Sequence, residues 1–265
     1  MPSAGYNCES MFWFVFRKNE LLVERGADGG YTVPDAELCP VAAQEEMELT
    51  TLHGAPCRAV RVAEDAPDGD GAREWMDLRA SFDNLPSEQY RMAGKASELL
   101  YWSGQTRFCG VCGAPMETAT DISKQCPACG QTVWPQLATA IIVLVRRGGR
   151  ILMVHAHNFR GNFYGLVAGF VETGESLEEC VRREVWEETR IRVKNIRYVA
   201  SQPWPYPCGL MVGFCADYES GEIRLQAEEL AAGDWFSPAH LPQLPGKVSL
   251  ARRLIDDWLA GRLPE

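Results

Sequence analysis

At 265 residues the chain can form one large domain or two ordinary ones, and at least two are expected. Its composition, 46% hydrophobic and 23% charged with every long apolar run interrupted, excludes general disorder and a membrane span. The formal charge of -10 excludes a broad electrostatic grip on nucleic acid, so any RNA contact must be local.

No basic, apolar, small-residue signal pattern opens the chain, so a cytoplasmic, reducing location is expected for its 10 cysteines. MFWFVFRKNELLVE reads as two short strands around a polar turn, and APCRAVRVA fits another strand. Acidic, Gly-rich EDAPDGDGA is a loop. In YRMAGKASELLYWSG, Met92, Ala96, Leu99 and Leu100 recur at helical spacing, so a helix leads into the cysteines. From Ala138, ATAIIVLVRRGGRILMVHA gives two β-rich runs around Gly148 and Gly149, a pair suited to a tight hairpin because glycine accepts positive φ. Further strands are expected at FYGLVAGFV, IRYVASQ, LMVGFCADYE and EIRL. One helix interrupts them around Leu177 to Thr189, and a last one has Leu250, Leu254 and Trp258 on one stripe. Strands around one mid-chain helix indicate an α+β sandwich.

Between the halves, CGVCGAPMETATDISKQCPACG places Cys109 and Cys112, then Cys126 and Cys129, as two CxxC pairs. Each pair presents two thiolates from a knuckle, and four sulfurs close a tetrahedral Zn2+ shell with no open catalytic position. The zinc is therefore read as structural. Redox dithiols and simple buried cysteines are the competing readings. Cys8, Cys39, Cys57, Cys180, Cys208 and Cys215 show no such pairing and are expected as buried free thiols.

The stretch GFVETGESLEECVRREVWEETRI, from Gly169 to Ile191, concentrates carboxylates. Ser176 and Glu179 form a capping box, which sets the phase of the helix. Leu177, Val181 and Val185 make the buried stripe, while Glu179, Arg182 and Trp186 fall opposite. Glu184 and Glu188 each lie nearly two turns beyond a stripe residue and so point inward or into a cleft, with Glu187 beside them. A solvated charged face is the competing reading, but the phase opposes it. Like charges at this spacing cost a few tenths of a kcal/mol each on an exposed helix and more where water is excluded. A hard divalent cation, Mg2+ or Mn2+, would neutralise them, and Arg183 can orient Glu187.

Gly169, Glu175, Arg183, Glu184, Val185, Glu187, Glu188 and Ile191 together resemble the Nudix box. Arg190 departs from it, because the family usually has Gly there. A left-handed helix end disfavours a side chain, so Arg190 is expected to shift the exit or cost about 1 kcal/mol. The resemblance implies a Nudix α/β/α sandwich that hydrolyses a nucleoside diphosphate linked to another group. It implies Glu184 and Glu188 as metal ligands and Glu187 as ligand or base. Downstream, SQPWPYPCG is, physically, a stiff wall of prolines and aromatics suited to stacking, to a dimer contact or to simple packing. It also resembles the signature of the NADH pyrophosphatase branch, which includes enzymes acting on NAD caps of RNA. That resemblance implies substrate contacts from Gln202, Pro203, Trp204, Pro205, Tyr206, Pro207, Cys208 and Gly209. Gly209 stands where the signature ends in Ser, so a hydrogen bond worth about 0.5 to 1.5 kcal/mol is expected to be lost. It further implies Ala168 as a backbone metal ligand, Glu229 as an acidic ligand also facing substrate, Phe170 and Trp134 as base-stacking residues, Ala251 as a backbone substrate contact and Arg73 as a phosphate contact.

The expected layout is a mixed α/β N-terminal domain over 1–104, a zinc ribbon over 105–133 and a catalytic Nudix domain over 134–265. The leading reading is a Mg2+ or Mn2+ dependent hydrolase splitting NADH or NAD, free or as an RNA cap, with a homodimer implied by the family. Two alternatives stand beside it: a nucleotide-sensing regulator without hydrolysis, and a hydrolase preferring ADP-ribose or another dinucleotide.

Overall fold

The computed structural model describes residues 11–159 and 161–264, which leaves Cys8 outside the described residues. It divides into two units, Met1–Gln136 with Pro205–Cys208, and Leu137–Trp204 with Gly209–Glu265. Among the described residues no helix is long and apolar enough to cross a membrane.

The first unit begins with the expected hairpin. β1 (Met11–Arg17) and β2 (Glu20–Arg25) pair with Arg17 opposite Glu20, and Lys18 turns the chain at φ 54°. β3 (Tyr31–Thr32), β4 (Asp35–Ala36), β5 (Glu45–Leu52), β6 (Ala55–Arg61) and β7 (Arg73–Asp77) complete a seven-stranded sheet in which β1 runs parallel to β6. The unbroken apolar run of β1 follows from burial on both faces. Phe12, Phe14 and Phe16 join one core, while Trp13 and Val15 join another. Helix α1 (Ser87–Gln105) lays Ala93, Ala96 and Leu100 onto the phenylalanine face, with Met92 partly buried beside them. The cysteine module carries a three-stranded ribbon of β8 (Glu117–Thr120), β9 (Ser123–Gln125) and β10 (Thr132–Val133).

The second unit is a mixed sheet of six strands. β11 (Ala138–Arg147) and β12 (Arg150–Ala156) form the glycine hairpin, with Gly148 and Gly149 at φ 51° and 78°. β13 (Val167–Phe170) pairs with β11, and the strand order along the main path is β14 (Arg192–Trp204), β15 (Gly209–Ser220), β11, β12, β16 (Leu230–Phe236). The period-two alternation of β11 sends Ile141, Val143 and Val145 to the face covered by α2 (Leu177–Thr189). Ile142 and Leu144 go to the face covered by α3 (Leu250–Leu259). This gives the expected α/β/α sandwich.

Three expectations need correction. EIRL is not a strand: Arg224 donates its N–H to the Thr189 carbonyl, at the end of α2, at 3.0 Å. The edge strand is instead LAAGDWF, antiparallel to β12, which the small and acidic residues of that run concealed. The SQPWPYPCG stretch is mostly strand, not wall. Ser201 to Trp204 close β14, Gly209 opens β15 opposite Trp204, and only Pro205–Cys208 form the turn. Of the remaining thiols Cys57, Cys180 and Cys215 are buried, while Cys39 and Cys208 are half-buried.

Leu254 has no exposed surface and anchors α3 in its core. Leu254→Ala is expected to lower stability by about 3 kcal/mol in urea unfolding. Leu259→Ala, at a site 44% exposed, should change it by less than about 0.5 kcal/mol.

Candidate active site

Helix α2 starts where the sequence places it. The Ser176 hydroxyl accepts the Glu179 N–H at 3.3 Å and the Glu179 carboxylate accepts the Ser176 N–H at 2.7 Å. That phase buries Val181 and Val185 completely and turns Arg182 and Trp186 outward. Three carboxylates are graded in depth by the same rotation. The Glu187 side chain is 49% exposed, Glu184 is 13% exposed, and Glu188 as a residue is 5% exposed.

Gly169, at the centre of β13, lets Glu184 in. A Cβ there would sit 1.9 Å from the Glu184 carboxyl carbon, so any side chain would evict the carboxylate. Arg183 then gathers the acidic groups of the loop and helix. Its guanidinium donates to Glu175 at 2.6 Å, Glu184 at 2.8 Å, Glu187 at 3.2 Å and the Phe170 carbonyl at 2.9 Å. Arg183 holds the Glu175 carboxyl down to about 2, helped by the Glu172 N–H. Glu184 moves the other way, because burial outweighs the arginine.

Glu188 has no such partner: its carboxylate makes no hydrogen bond or ion pair with any described residue. Burial, with Glu184 and Glu229 as like-charged neighbours, pushes it up to about 8. An unpaired buried carboxylate beside two others is the donor chemistry of a hard divalent cation, so these residues fit the metal that the helix phase requires. Glu229 lies just before β16, where Gln226 donates to it at 3.3 Å.

The other expected site residues fall in several places. Ala168 precedes Gly169 on β13, and Phe170 ends that strand with 65% exposure. Ala251 is the second residue of α3, in the first turn, whose N–H groups lack helical acceptors. Gln202 donates to the Val248 carbonyl at 2.7 Å just ahead of that helix, and its own side-chain oxygen is buried without a partner. In β14, Pro203 and Trp204 pair with Leu210 and Gly209; a Cβ on Gly209 would meet the Trp204 carbonyl at 3.0 Å, so serine would fit only tightly. In the first unit, Trp134 follows β10 with 55% exposure. Tyr206 is bound by its hydroxyl to Tyr90 at 2.7 Å, and Arg79 lies 4.5 Å over its ring. Pro205 packs on Gly94, while Pro207 and half-buried Cys208 complete that turn. Arg73 is engaged by Glu24 at 2.6 Å.

Residue spacing does not disclose the reach of Arg183 back to Glu175, because it crosses from helix to loop. The close approach of Gly169 to Glu184 is equally a tertiary fact.

In the ribbon the four Sγ atoms all lie within 4.8 Å of one another, the one group of this kind among the described residues. The Cys109–Cys129 and Cys112–Cys126 separations are 3.6 and 3.5 Å, close to the edge of about 3.8 Å that a tetrahedron of Zn–S bonds of about 2.3 Å requires. The N–H groups of Cys112 and Val111 lower the Cys109 thiol to about 6. Against the Gln131 N–H, the surrounding sulfurs push Cys129 up to about 12. Four thiolates so close need a cation, and zinc fits.

The NADH pyrophosphatase-like rudimentary NUDIX domain model matches residues 10–102, the NADH pyrophosphatase zinc ribbon model residues 105–133, and the NUDIX domain model residues 134–258. The NAD-capped RNA hydrolase NudC of Chromobacterium violaceum is 44% identical over 69% of this chain and 70% of its own. That of Stutzerimonas stutzeri is also 44% identical, over 74% and 71%. The chain belongs to the NUDIX hydrolases. The NUDIX hydrolase from Nitrosomonas europaea has the same fold, with a TM-score of 0.50 at 21% identity over 59% of this chain and 92% of that one. As a NUDIX hydrolase with a zinc ribbon it needs a divalent metal besides its structural zinc.

The helix exit of this NUDIX hydrolase is not shifted by Arg190. Arg190 takes the left-handed conformation itself, at φ 60°, and donates its N–H to Trp186 at 2.9 Å. The strain, about 1 kcal/mol, is retained.

Two outcomes are expected. Gly169→Ala should leave the thermal midpoint within a few degrees, because the displaced atoms end a side chain, yet weaken Mn2+ binding at least about tenfold by calorimetry. For Glu188, the unfolded carboxyl loses its proton near 4.5 and the folded one near 8. Its contribution is therefore full below pH 4.5 and is lost as pH rises to 8. In zinc-loaded protein without Mg2+ or Mn2+, Glu188→Gln should raise the melting temperature at pH 8 relative to the parent, with a smaller gain at pH 5. Added Mn2+ should stabilise the parent alone.

Proposed function

We propose that this chain hydrolyses the diphosphate of NADH or NAD to nicotinamide mononucleotide and AMP, and splits the same bond in an NAD cap, releasing nicotinamide mononucleotide and leaving a 5′-monophosphate on the RNA. The observation that carries the reading is the uncompensated, buried Glu188 beside Glu184 and Glu229, in a chain whose relatives are named NAD-capped RNA hydrolases. Glu184 and Glu188, with Glu229 and the Ala168 carbonyl, would hold a divalent cation, Mg2+ or Mn2+, which would supply charge neutralisation at the phosphoryl oxygens and activation of water.

The chain's own groups do the rest. Arg183 fixes the Glu184 carboxylate in its cradle and leaves Glu187, half-exposed at the far edge of the guanidinium, to accept a proton from water. Phe170 offers a base an open ring face, and Trp134 offers one in the first unit. Gln202 and the first-turn N–H of Ala251 supply polar contacts around the start of α3. Gly209 brings no hydroxyl. Unpaired thiols suit the cytoplasm, and the family resemblance supports a homodimer.

Hydrolysis of NADH, NAD-capped RNA and ADP-ribose is measured with Mg2+ and with Mn2+. The parent is expected to cleave the first two, and Glu188→Gln to lower kcat/KM at least about 100-fold, since a metal ligand is lost. A parent that binds a nucleotide and cleaves none would make the chain a sensor, and one that favours ADP-ribose would reassign its substrate.

A further inference from the structure

A concavity lies in the catalytic unit on the outward side of α2, beside Trp186. It encloses about 530 Å3 and is lined by Trp186, Arg190, Arg192, Glu222, Arg224 and Gln226, among others. Three arginines against one carboxylate give the lining a formal +2, in a chain whose formal total is -10. None of the three makes a salt bridge with a described carboxylate, whereas Arg146, Arg183 and Arg252 of the same unit each do. All three are exposed.

An aromatic face sits among these cations. The Trp186 ring is 38% exposed, with the Arg192 guanidinium 4.5 Å and the Arg190 guanidinium 5.6 Å from its centre. The groove is built, not incidental. Gly221 passes so close that a Cβ on it would meet the Arg190 carbonyl at 2.5 Å, and Gln226 donates its N–H to the Glu188 carbonyl at 2.9 Å. Arg190 holds a strained backbone conformation where glycine would be relaxed, so its guanidinium stands in the groove at a cost in stability.

Arginines without carboxylate partners beside an indole, Arg190 spending one donor on the Trp186 carbonyl at 3.4 Å, are the chemistry of single-stranded RNA, with phosphates on the guanidinium groups and a base on the ring. We infer that this groove binds the RNA chain downstream of the cap, so that its occupant is an unpaired 5′ segment that has turned around the C-terminal end of α2. The inference rests on the reading of this chain as a hydrolase of capped RNA. It reconciles that substrate with an acidic surface, because the positive charge is needed at one place only. Free dinucleotides lack the chain and gain nothing from the groove.

The test uses the full, zinc-loaded chain and an uncapped 5′-monophosphate RNA of about a dozen unpaired nucleotides, enough to contact several phosphates, read by fluorescence anisotropy between 50 and 200 mM salt. Arg190→Gly, Arg192→Gln and Arg224→Gln are combined; glycine relaxes the helix end and the other sites are exposed, so the fold is expected to stand. Affinity should fall at least about tenfold and the slope of log K against log salt should shrink by roughly 2, at about 0.7 per phosphate contact. Trp186→Ala alone should weaken binding about fivefold or more through lost stacking. KM for NAD-capped RNA should rise with these losses, while kcat/KM for free NADH stays unchanged.

RNA binding equal in parent and triple variant overturns the inference. So does a parent that fails to bind uncapped RNA, or one in which AMP displaces the RNA at the groove as well as a longer chain does. Loss of all dinucleotide hydrolysis with arginine-dependent RNA binding intact would overturn the proposed reaction and uphold the groove.

Discussion

Everything at the catalytic centre depends on keeping carboxylates at the edge of an apolar core. Helix α2 must bury Val181 and Val185 to hold the sheet, and that rotation drags Glu188 under cover and Glu184 nearly so. A carboxylate removed from water demands a partner, and the described residues bond one cation to the set. Arg183 bonds Glu175, Glu184 and Glu187 together, and leaves Glu188 out. The deepest carboxylate is thus also the one without protein compensation, which is the electrostatic condition for a divalent ion.

The surrounding parts serve this placement. The capping box sets where α2 begins and so which side chains rotate inward. The bare Cα of Gly169 gives the Glu184 carboxylate room against β13. The segment after β15, irregular because its N–H groups are spent on the carbonyls of Glu188 and Thr189, closes the helix end and delivers Glu229 from the other side. One stretch of backbone therefore caps the helix, brings a further carboxylate near Glu188 and walls the outer groove with Arg224.

Zinc and the catalytic metal call for opposite chemistry. Four soft sulfurs at the corners of a near-tetrahedron leave no open position, which suits a staple for a ribbon with three short strands and few buried side chains of its own. The acidic centre offers hard carboxylate oxygens, with Glu187 and Phe170 exposed to solvent.

Much of this was legible in the residues themselves. Cysteine spacing, the capping box and a 3.6-residue period are local rules, and they identified the zinc ribbon, the start and phase of α2, and the inward direction of Glu184 and Glu188. The Nudix resemblance implied what such carboxylates would do. Edge strand β16 was missed because Gly233 and Asp234 weaken its pattern, and EIRL was misread because an alternating apolar pattern does not reveal that the Arg224 N–H is claimed by a helix end. The stiffness read into SQPWPYPCG belongs to a hairpin whose Tyr206 is bound to Tyr90, 116 positions away in the chain. Contacts of that kind, like the reach of Arg183 to Glu175, join groups with no fixed spacing. The sequence alone determined the chemical types and their local geometry; which of them meet was decided by the tertiary structure, because long-range proximity arises only when separate elements bury their apolar faces together.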